Sequence, residues 1–201
     1  MTIRAALFDF SGTLFRMEHP EITELGDVLR AATAPSDPAL AEAWERRDLD
    51  ADQHRYVFLT LLRQAGLPDP DGFYERMCGT EFWVPYPDTA AALELLADVP
   101  VAVVSNMGFD IRPALDAHGL SQYVDEVVLS FEEGVIKPDP KIFKIACERL
   151  GVDPAETVMV GDSEEADGGA RAIGCQFALV EPLPTGDRAE SLLAVARTIS
   201  V

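Results

Sequence analysis

The feature that most constrains the fold is a series of short apolar runs, each of which ends abruptly in polar or small residues. The runs show no clear alternation of apolar and polar side chains, which is typical of strands buried on both faces of a parallel sheet. Five such runs are present, at residues 3–8, 99–104, 127–129, 157–160 and 177–180.

Helical patterns lie between and after the later runs. The alternation of strand and helix predicts βαβ units with right-handed crossovers, and hence an α/β fold built on a parallel sheet. The helical patterns cover residues 88–97, 111–118, 141–150 and 188–198.

One segment, residues 16–85, interrupts this alternation. It contains only helix-like stretches, at 21–32, 38–47 and 52–65, separated by turn signals rich in Pro and Asp. We therefore expect a helical insertion after the first strand. The core would then consist of residues 1–15 and 86–201.

Composition and charge exclude several classes of function. Sixteen basic and 35 acidic residues give a net charge of −19, which attracts neither nucleic acid nor an anionic membrane surface. The three cysteines have no CxxC spacing and predict neither a disulfide framework nor a zinc site. The apolar run at 3–8 is too short for a signal peptide or a membrane span, so we expect a cytoplasmic protein.

Polar residues follow three of the predicted strands. Asp9-Phe10-Ser11-Gly12-Thr13 follows the first, Ser105-Asn106 the second, and Asp162 with Asp167 the fourth. The carboxyl ends of parallel strands share one edge of a sheet, where ligands bind. We therefore expect these three segments to meet in one crevice.

The residue types in this crevice point to a metal ion and a phosphate. Carboxylates from Asp9, Asp162 and Asp167 would repel one another without a cation, and oxygen ligands with a phosphate favour Mg²⁺. Gly12 lets the backbone approach a ligand closely. The predicted phosphate-binding residues are Gly12, Thr13, Ser105, Asn106 and Lys137. Taken singly, each motif also fits an ordinary turn, a helix cap or a surface charge.

All four motifs occur in order, and in this the chain resembles the haloacid dehalogenase (HAD) superfamily over nearly its full length. The family pattern is Asp-x-Asp-x-Thr, then Ser or Thr, then Lys, then an acidic pair after a strand. It is matched by Asp9/Ser11/Thr13, Ser105, Lys137 and Asp162/Asp167. The resemblance implies a Rossmann-like core, with residues 16–85 forming a small all-helical cap over the site.

The resemblance also implies residue roles. Asp9 would attack phosphorus and form an aspartyl-phosphate on a small phosphorylated substrate. Mg²⁺ would be held by the Asp9 carboxylate, the Ser11 carbonyl and Asp162, with Asp167 supporting this shell. Ser105 and Lys137 would bind the transferring phosphoryl group, and Lys137 would balance the charge of the nucleophile.

Ser11 departs from the family pattern. Most phosphatases of the family have a second Asp there, which protonates the leaving group and then activates water. A serine hydroxyl is not a useful general acid or base near neutral pH, and general acid–base catalysis contributes about 10²–10⁴-fold. The sequence therefore predicts slow turnover, least so for substrates with good leaving groups.

Other branches of the family differ at this position. The transport ATPases resemble this arrangement, with a threonine there. Dehalogenases have a tyrosine, need no metal, and carry Ser-x-Asn where this chain has Gly161-Asp162. Phosphonatases have a small residue there and need a cap lysine, and residues 16–85 contain none.

The cap offers few replacements for the missing acid. Glu18, His19, His54 and Arg55 are candidates, but a histidine in a cap is more often a packing or surface residue. Six aromatic residues of the cap could line a pocket, although their spacing favours packing. They are Tyr56, Phe58, Phe73, Tyr74, Phe82 and Trp83.

Three hypotheses follow from the sequence. The first is a Mg²⁺-dependent phosphatase or phosphotransferase slowed by Ser11. The second is a binding or regulatory protein that retains the phosphate and metal site with little turnover. The third is a dehalogenase-like hydrolase. The sequence leaves the substrate and the oligomeric state open.

Overall fold

The central sheet has five parallel strands in the order β5-β4-β1-β6-β7. The computed structural model describes residues 2–22 and 37–199. Its strands are β1 (Ala5–Phe8), β2 (Phe15–Met17), β3 (Trp83–Pro85), β4 (Val101–Ser105), β5 (Glu126–Leu129), β6 (Thr157–Gly161) and β7 (Gln176–Leu179). The expected α/β fold with a parallel sheet is confirmed.

The three central strands are buried on both faces, as the continuous apolar runs predict, whereas the edge strand β7 is only partly buried and Leu179 on it is exposed. In β1, Leu7 packs into one hydrophobic cluster, whereas Ala6 and Phe8 pack into the other. Phe8 lies opposite Val103 on β4 and Val160 on β6. The carboxyl ends of these three central strands therefore lie side by side.

Helices connect the strands and flank the sheet. They are α1 (Pro38–Arg46), α2 (Ala51–Gln64), α3 (Pro70–Cys78), α4 (Thr89–Leu95), α5 (Arg112–Ala117), α6 (Ser130–Glu133), α7 (Pro140–Leu150) and α8 (Ser191–Ile199). Short 3₁₀ helices cover Ser121–Tyr123, Pro154–Glu156 and Asp167–Ile173. Among the described residues, no helix is long and apolar enough to cross a membrane.

The insertion after β1 contains three described helices with their own apolar core. Asp37, Asp50 and Asp69 cap the first turns of α1, α2 and α3 with their side chains. The predicted helix at 21–32 lies almost entirely in 23–36, outside the described residues. Of the six aromatic residues of the cap, Phe73, Tyr74 and Phe82 are buried in its core.

A short antiparallel ribbon joins the two ends of the insertion, which the sequence did not predict. β2 pairs with β3, with Arg16 opposite Val84. Each strand has three residues, too few to show a period-2 pattern. The expectation of an all-helical cap is therefore wrong at its two ends: within the described residues, the insertion is helical over α1 to α3 and β-paired where it meets the core.

The cap rests on the loop that follows β4. The Ser130 hydroxyl donates to the main-chain carbonyl of Asp48 in the cap and accepts the Met107 amide at 2.9 Å. A Cβ on Gly108 would lie 2.4 Å from the Arg47 carbonyl oxygen, so only glycine permits this approach. The cap backbone thus lies in direct contact with residues two and three positions beyond Ser105.

His54 is the most buried titratable side chain of this contact, at 4% exposure. Its Nδ1 lies 2.8 Å from the Tyr74 hydroxyl, and its ring packs against Phe58 and Phe109. Burial, with the nearby charge of Arg47, lowers the pKa of His54 to about 4. The imidazole is therefore neutral at pH 7.

We expect His54 to make folding stability pH-dependent. Between about pH 6.5 and pH 4 the unfolded chain takes up a proton that the folded chain rejects, so stability falls as the pH falls. The difference between the two pKa values of His54 corresponds to about 3 kcal/mol in the free energy of unfolding. Denaturant unfolding at pH 7 and pH 4 should show a smaller loss for His54→Gln than for the wild type. The exposed His118→Gln is the control, and equal losses in all three proteins would contradict the prediction.

Candidate active site

Asp9 lies at the centre of the candidate site because β1 is the middle strand and Asp9 is the first residue after it. Its side chain is 5% exposed. Asp9 Oδ1 accepts hydrogen bonds from the Ser105 hydroxyl at 2.8 Å and from Lys137 Nζ at 2.6 Å. Ser105 ends the neighbouring strand β4, so parallel strand pairing brings these two side chains together.

Lys137 is a buried cation between two carboxylates. Besides Asp9, its Nζ donates to Asp167 Oδ1 at 2.6 Å and to the Val104 carbonyl at 3.0 Å. Burial alone would lower the pKa of Lys137, but the charges of Asp9 and Asp167 outweigh it and raise the pKa. The side chain therefore stays charged.

Asn106 holds the backbone of Lys137. Its Oδ1 accepts the Lys137 amide at 2.8 Å, and its Nδ2 donates to the Lys137 carbonyl at 3.0 Å. Both polar atoms of the Asn106 side chain are thus engaged by the main chain. The arrangement fixes where the Lys137 side chain begins.

The acidic side of the site follows β6. Asp167 Oδ2 accepts the Ser163 amide at 3.0 Å. A Cβ on Gly161 would lie 2.1 Å from Asp167 Oδ2, so glycine is required at the end of β6. Oxygen atoms of Asp9, Asp162 and Asp167 lie within 4.8 Å of one another.

The carboxyl group of Asp162 is affected by this crowding. Burial first, and then the charges of Asp9 and Asp167, raise its pKa to about 6, although Lys137 opposes the shift. Among the described residues, no Lys or Arg forms an ion pair with Asp162, whereas Lys137 pairs with both other carboxylates. Three carboxyl groups therefore lie around one ammonium group. The excess of negative charge at Asp162 favours the binding of a further cation.

Gly12 and Thr13 shape the loop that carries Ser11. Gly12 has φ of +82°, and a Cβ there would lie 2.5 Å from Asp162 Oδ2. Its amide donates to the Phe15 carbonyl at 2.7 Å. Thr13 is fully buried, and its hydroxyl has no hydrogen-bond partner in the described part of the chain.

An open cavity of about 160 Å³ lies over these groups. The structure brings seven of the nine predicted site residues to its walls, whereas Gly12 and Thr13 lie beside it. The walls are Asp9, Ser11, Ser105, Asn106, Lys137, Asp162, Ser163, Ala166 and Asp167. Two larger cavities, of about 360 and 370 Å³, lie near Asp125 and Arg149 at the amino end of β5, whereas the candidate site lies at the carboxyl ends of the strands. Neither cavity is lined by a predicted site residue.

None of the cap candidates for an acid lines this cavity. Glu18 accepts hydrogen bonds from the amide and hydroxyl of Thr185; despite burial, these bonds lower its pKa and keep it ionised. His19 stacks on Phe82. His54 is neutral and buried, as described above, and Arg55 pairs with Asp71 at 3.0 Å.

Three residues that bear on the site were not singled out from the sequence. Ser163 supplies an amide to Asp167, Ser130 contacts the loop after β4, and Arg188 donates to the Gly12 and Thr13 carbonyls at 3.0 and 2.7 Å. A serine after a strand and an arginine in a loop are common, so neither carries a signal in one sequence. Their roles come from long-range contacts.

Comparison with known proteins places the chain in a family. A family model described as haloacid dehalogenase-like hydrolase matches residues 3–174. The (S)-2-haloacid dehalogenase 4A of Burkholderia cepacia is 32% identical over 86% of this chain and 80% of its own. The ribulose-1,5-bisphosphate 5-phosphatase of Halopiger xanaduensis is 31% identical over 93% of this chain and 88% of its own.

Solved structures agree with this assignment. A HAD phosphatase from Thermococcus onnurineus is 31% identical, covers 97% of both chains and has a TM-score of 0.67. The relatives thus include enzymes that act on phosphate esters and enzymes that act on haloacids. The chain belongs to the haloacid dehalogenase-like hydrolases, and it is an enzyme of that family.

Proposed function

We propose that this hydrolase is a Mg²⁺-dependent phosphatase or phosphotransferase that acts on a small phosphorylated molecule through an aspartyl-phosphate at Asp9. The observation that carries the proposal is the group of three carboxylates around one buried lysine. That group combines a nucleophile, a fixed positive charge and the ligands for a second cation at one strand edge.

The charges in the cavity support a divalent metal. Asp9, Asp162 and Asp167 contribute three negative charges, and Lys137 contributes one positive charge. Carboxylate and carbonyl oxygens are hard ligands that suit Mg²⁺. Asp9, Asp162 and the Ser11 carbonyl would hold the ion, with Asp167 behind them. When bound, the ion would neutralise charge on the transferring phosphoryl group.

Asp9 is arranged to use one defined oxygen. Its Oδ1 is occupied by Ser105 and Lys137, and no described residue donates a hydrogen bond to Oδ2. Oδ2 then forms the bond to phosphorus while the bond from phosphorus to the leaving oxygen breaks. Water attacks the resulting acyl phosphate, releases inorganic phosphate and restores the carboxylate.

Ser11 determines which substrates suit this site. Its side chain is exposed at the cavity wall, at the position of the general acid in most relatives of the phosphatase branch. Lys137 is held by two carboxylates and is not free to donate a proton to a leaving group. Acyl phosphates and other substrates with good leaving groups are therefore favoured over alkyl phosphates.

The cavity over these groups is small and open to solvent. A volume of about 160 Å³ is below the range of roughly 300–1,000 Å³ for sites that enclose drug-sized ligands. A small phosphorylated metabolite fits this scale. We place the activity in the cytoplasm because the three cysteines are free thiols.

Hydrolytic dehalogenation is the second candidate, because the Burkholderia cepacia relative is a dehalogenase. The position of Asp162 beside Asp9 opposes it, since an extra carboxylate repels a haloacid carboxylate in the absence of metal. Halide release from an (S)-2-haloacid in the presence of a chelator would establish this activity. Phosphate release that requires Mg²⁺ would exclude it as the main reaction.

Asp9→Asn should abolish phosphate release, because an amide cannot form the aspartyl-phosphate. Chelation of Mg²⁺ should have the same effect on the wild type. Phosphate release is measured from a panel of acyl phosphates and phosphomonoesters, with the exposed Asp98→Asn as the matched control. Activity that survives both the substitution and the chelator would disprove the proposal.

Ser11→Asp should accelerate hydrolysis of alkyl phosphates by about 10²-fold or more, because it restores a proton donor at the leaving group. The gain on acyl phosphates should be smaller. Ser11→Asn is the control of equal size without a titrating group. Equal rates for the two variants would show that Ser11 does not limit turnover. A wild type that binds phosphate but hydrolyses none of the phosphorylated substrates would indicate a binding protein.

Asp162→Asn should stabilise the metal-free protein at pH 8 by about 1–3 kcal/mol, because it removes a carboxylate whose ionisation the folded site opposes. This penalty grows as the pH rises from about 4 to about 6 and is fully present at pH 8. Mg²⁺ should raise the Tm of the wild type more than that of the variant. The exposed Glu165→Gln is the control, and an equal Mg²⁺ effect in all three proteins would contradict the assignment.

A further inference from the structure

The segment that follows β7 contacts parts of the molecule that are distant in sequence. Residues 181–188, which we call the C-terminal strap, have no regular secondary structure and lie beyond the region matched by the family model. Their hydrogen bonds are made to the loop after Asp9 and to both connections between core and cap. The distribution of these contacts suggests a role in positioning.

The strap contacts both chain connections to the cap. On the first, Arg16 Nη1 donates to the Pro182 carbonyl at 2.5 Å, and the Glu18 carboxylate accepts the Thr185 amide at 2.9 Å. On the second, the Tyr86 hydroxyl donates to the Leu183 carbonyl at 2.9 Å. Arg16 lies within β2, Glu18 follows β2 and Tyr86 follows β3, so the strap contacts the β2–β3 ribbon where the cap meets the core.

Arg188, at the end of the strap, holds the loop after the nucleophile. Its side chain is 4% exposed, and its two terminal nitrogens donate to the carbonyls of Gly12 and Thr13 at 3.0 and 2.7 Å. The planar fork of a guanidinium can serve two successive carbonyls at once, which a lysine ammonium cannot do with the same geometry. Arg188 therefore fixes the loop that places Ser11 at the cavity.

Arg188 forms a buried ion pair with Asp88 in which some polar atoms lack hydrogen bonds. Asp88 Oδ1 lies 3.7 Å from Arg188 Nη2, and Asp88 Oδ2 accepts the Leu192 amide at 2.7 Å, which joins the pair to α8. Arg188 Nε and Asp88 Oδ1 make no hydrogen bond within the described residues. A buried ion pair that is incompletely bonded is a poor source of stability, so its contribution lies in the geometry that it imposes.

We propose that Arg188 is a positioning residue, which sets the loop after Asp9 through the Gly12 and Thr13 carbonyls, and that the strap couples this loop to both connections of the cap. The catalytic part of the inference rests on the proposed phosphatase function. Arg188 does not line the cavity, and its hydrogen bonds reach the site through the Gly12 and Thr13 carbonyls.

Arg188→Lys tests the proposal because it keeps the buried charge and removes the fork. We expect kcat for phosphate release to fall about 10- to 100-fold while KM changes less than about threefold, since the loop is displaced without loss of a substrate contact. The control is Cys147→Ala, which removes a buried side chain of α7 from the hydrophobic cluster that contains no residue of 10–15. Its kcat should stay within about twofold of the wild type below its Tm.

Hydrogen exchange gives a second readout that needs no turnover. The amides of Gly12, Leu14 and Phe15 are bonded within the loop, so release of the carbonyls should speed their exchange. We expect faster exchange of residues 10–18 in Arg188→Lys than in either Cys147→Ala or the wild type. Tyr86→Phe loses the hydrogen bond to Leu183 and keeps the ring on which the Arg188 guanidinium lies. It should produce a smaller increase in the same peptides, and it replaces Arg188→Lys as the test if that variant does not fold.

The two readouts separate failure of this inference from failure of the proposed function. Exchange of residues 10–18 that is no faster in Arg188→Lys and Tyr86→Phe than in Cys147→Ala would overturn the inference. So would an unchanged kcat of Arg188→Lys in an active enzyme. If the wild type releases no phosphate from any substrate, the proposed function fails, and exchange alone decides whether Arg188 sets the loop.

Discussion

The buried ammonium group of Lys137 is the interaction on which the site depends. It joins Asp9 after β1, the Val104 carbonyl at the end of β4, and Asp167 after β6. Without this cation, the carboxylates would have to be protonated or moved apart in a region with little water. The position of Lys137 is in turn fixed by Asn106, which bonds both its amide and its carbonyl. One side chain thus allows the ends of β1 and β6 to carry acidic groups at the same place.

Among the described residues, the Asp162 carboxylate has no Lys or Arg in an ion pair with it. An excess of carboxylate over ammonium groups is a property that favours the binding of a cation. Lys137 compensates part of the charge, and the raised pKa of Asp162 expresses the remainder. A site of this kind lowers the stability of the metal-free fold and recovers it when a cation binds. The parallel sheet tolerates the cost because β1 is fully buried and packs on both faces.

The cap and the C-terminal strap contact two different loops of this site. Ser130 connects the cap backbone to the loop after β4, whereas Arg188 connects the C-terminal segment to the loop after β1. Both residues act on loops rather than on the cavity itself. The geometry of Asp9 and of its neighbours therefore depends on segments that do not line the cavity. Ser11 lies on one of these loops, so its orientation follows from the same restraints.

The sequence by itself determined the parallel α/β core, and it predicted a helical insertion and seven of the residues that line the cavity. Apolar runs without alternation specify doubly buried strands, and the carboxyl ends of such strands converge, so the order of the motifs was enough to bring Asp9, Ser105 and Asp162 together. Tertiary structure alone decided that the Asn106 side chain holds Lys137, that Glu18 bonds to Thr185, and that Arg188 supports the loop after Asp9. These contacts join residues 31 to 176 positions apart, and no local pattern records a hydrogen bond over such a separation. The β2–β3 ribbon has the same origin, because three-residue strands acquire their pairing only when the folded cap brings its two ends together.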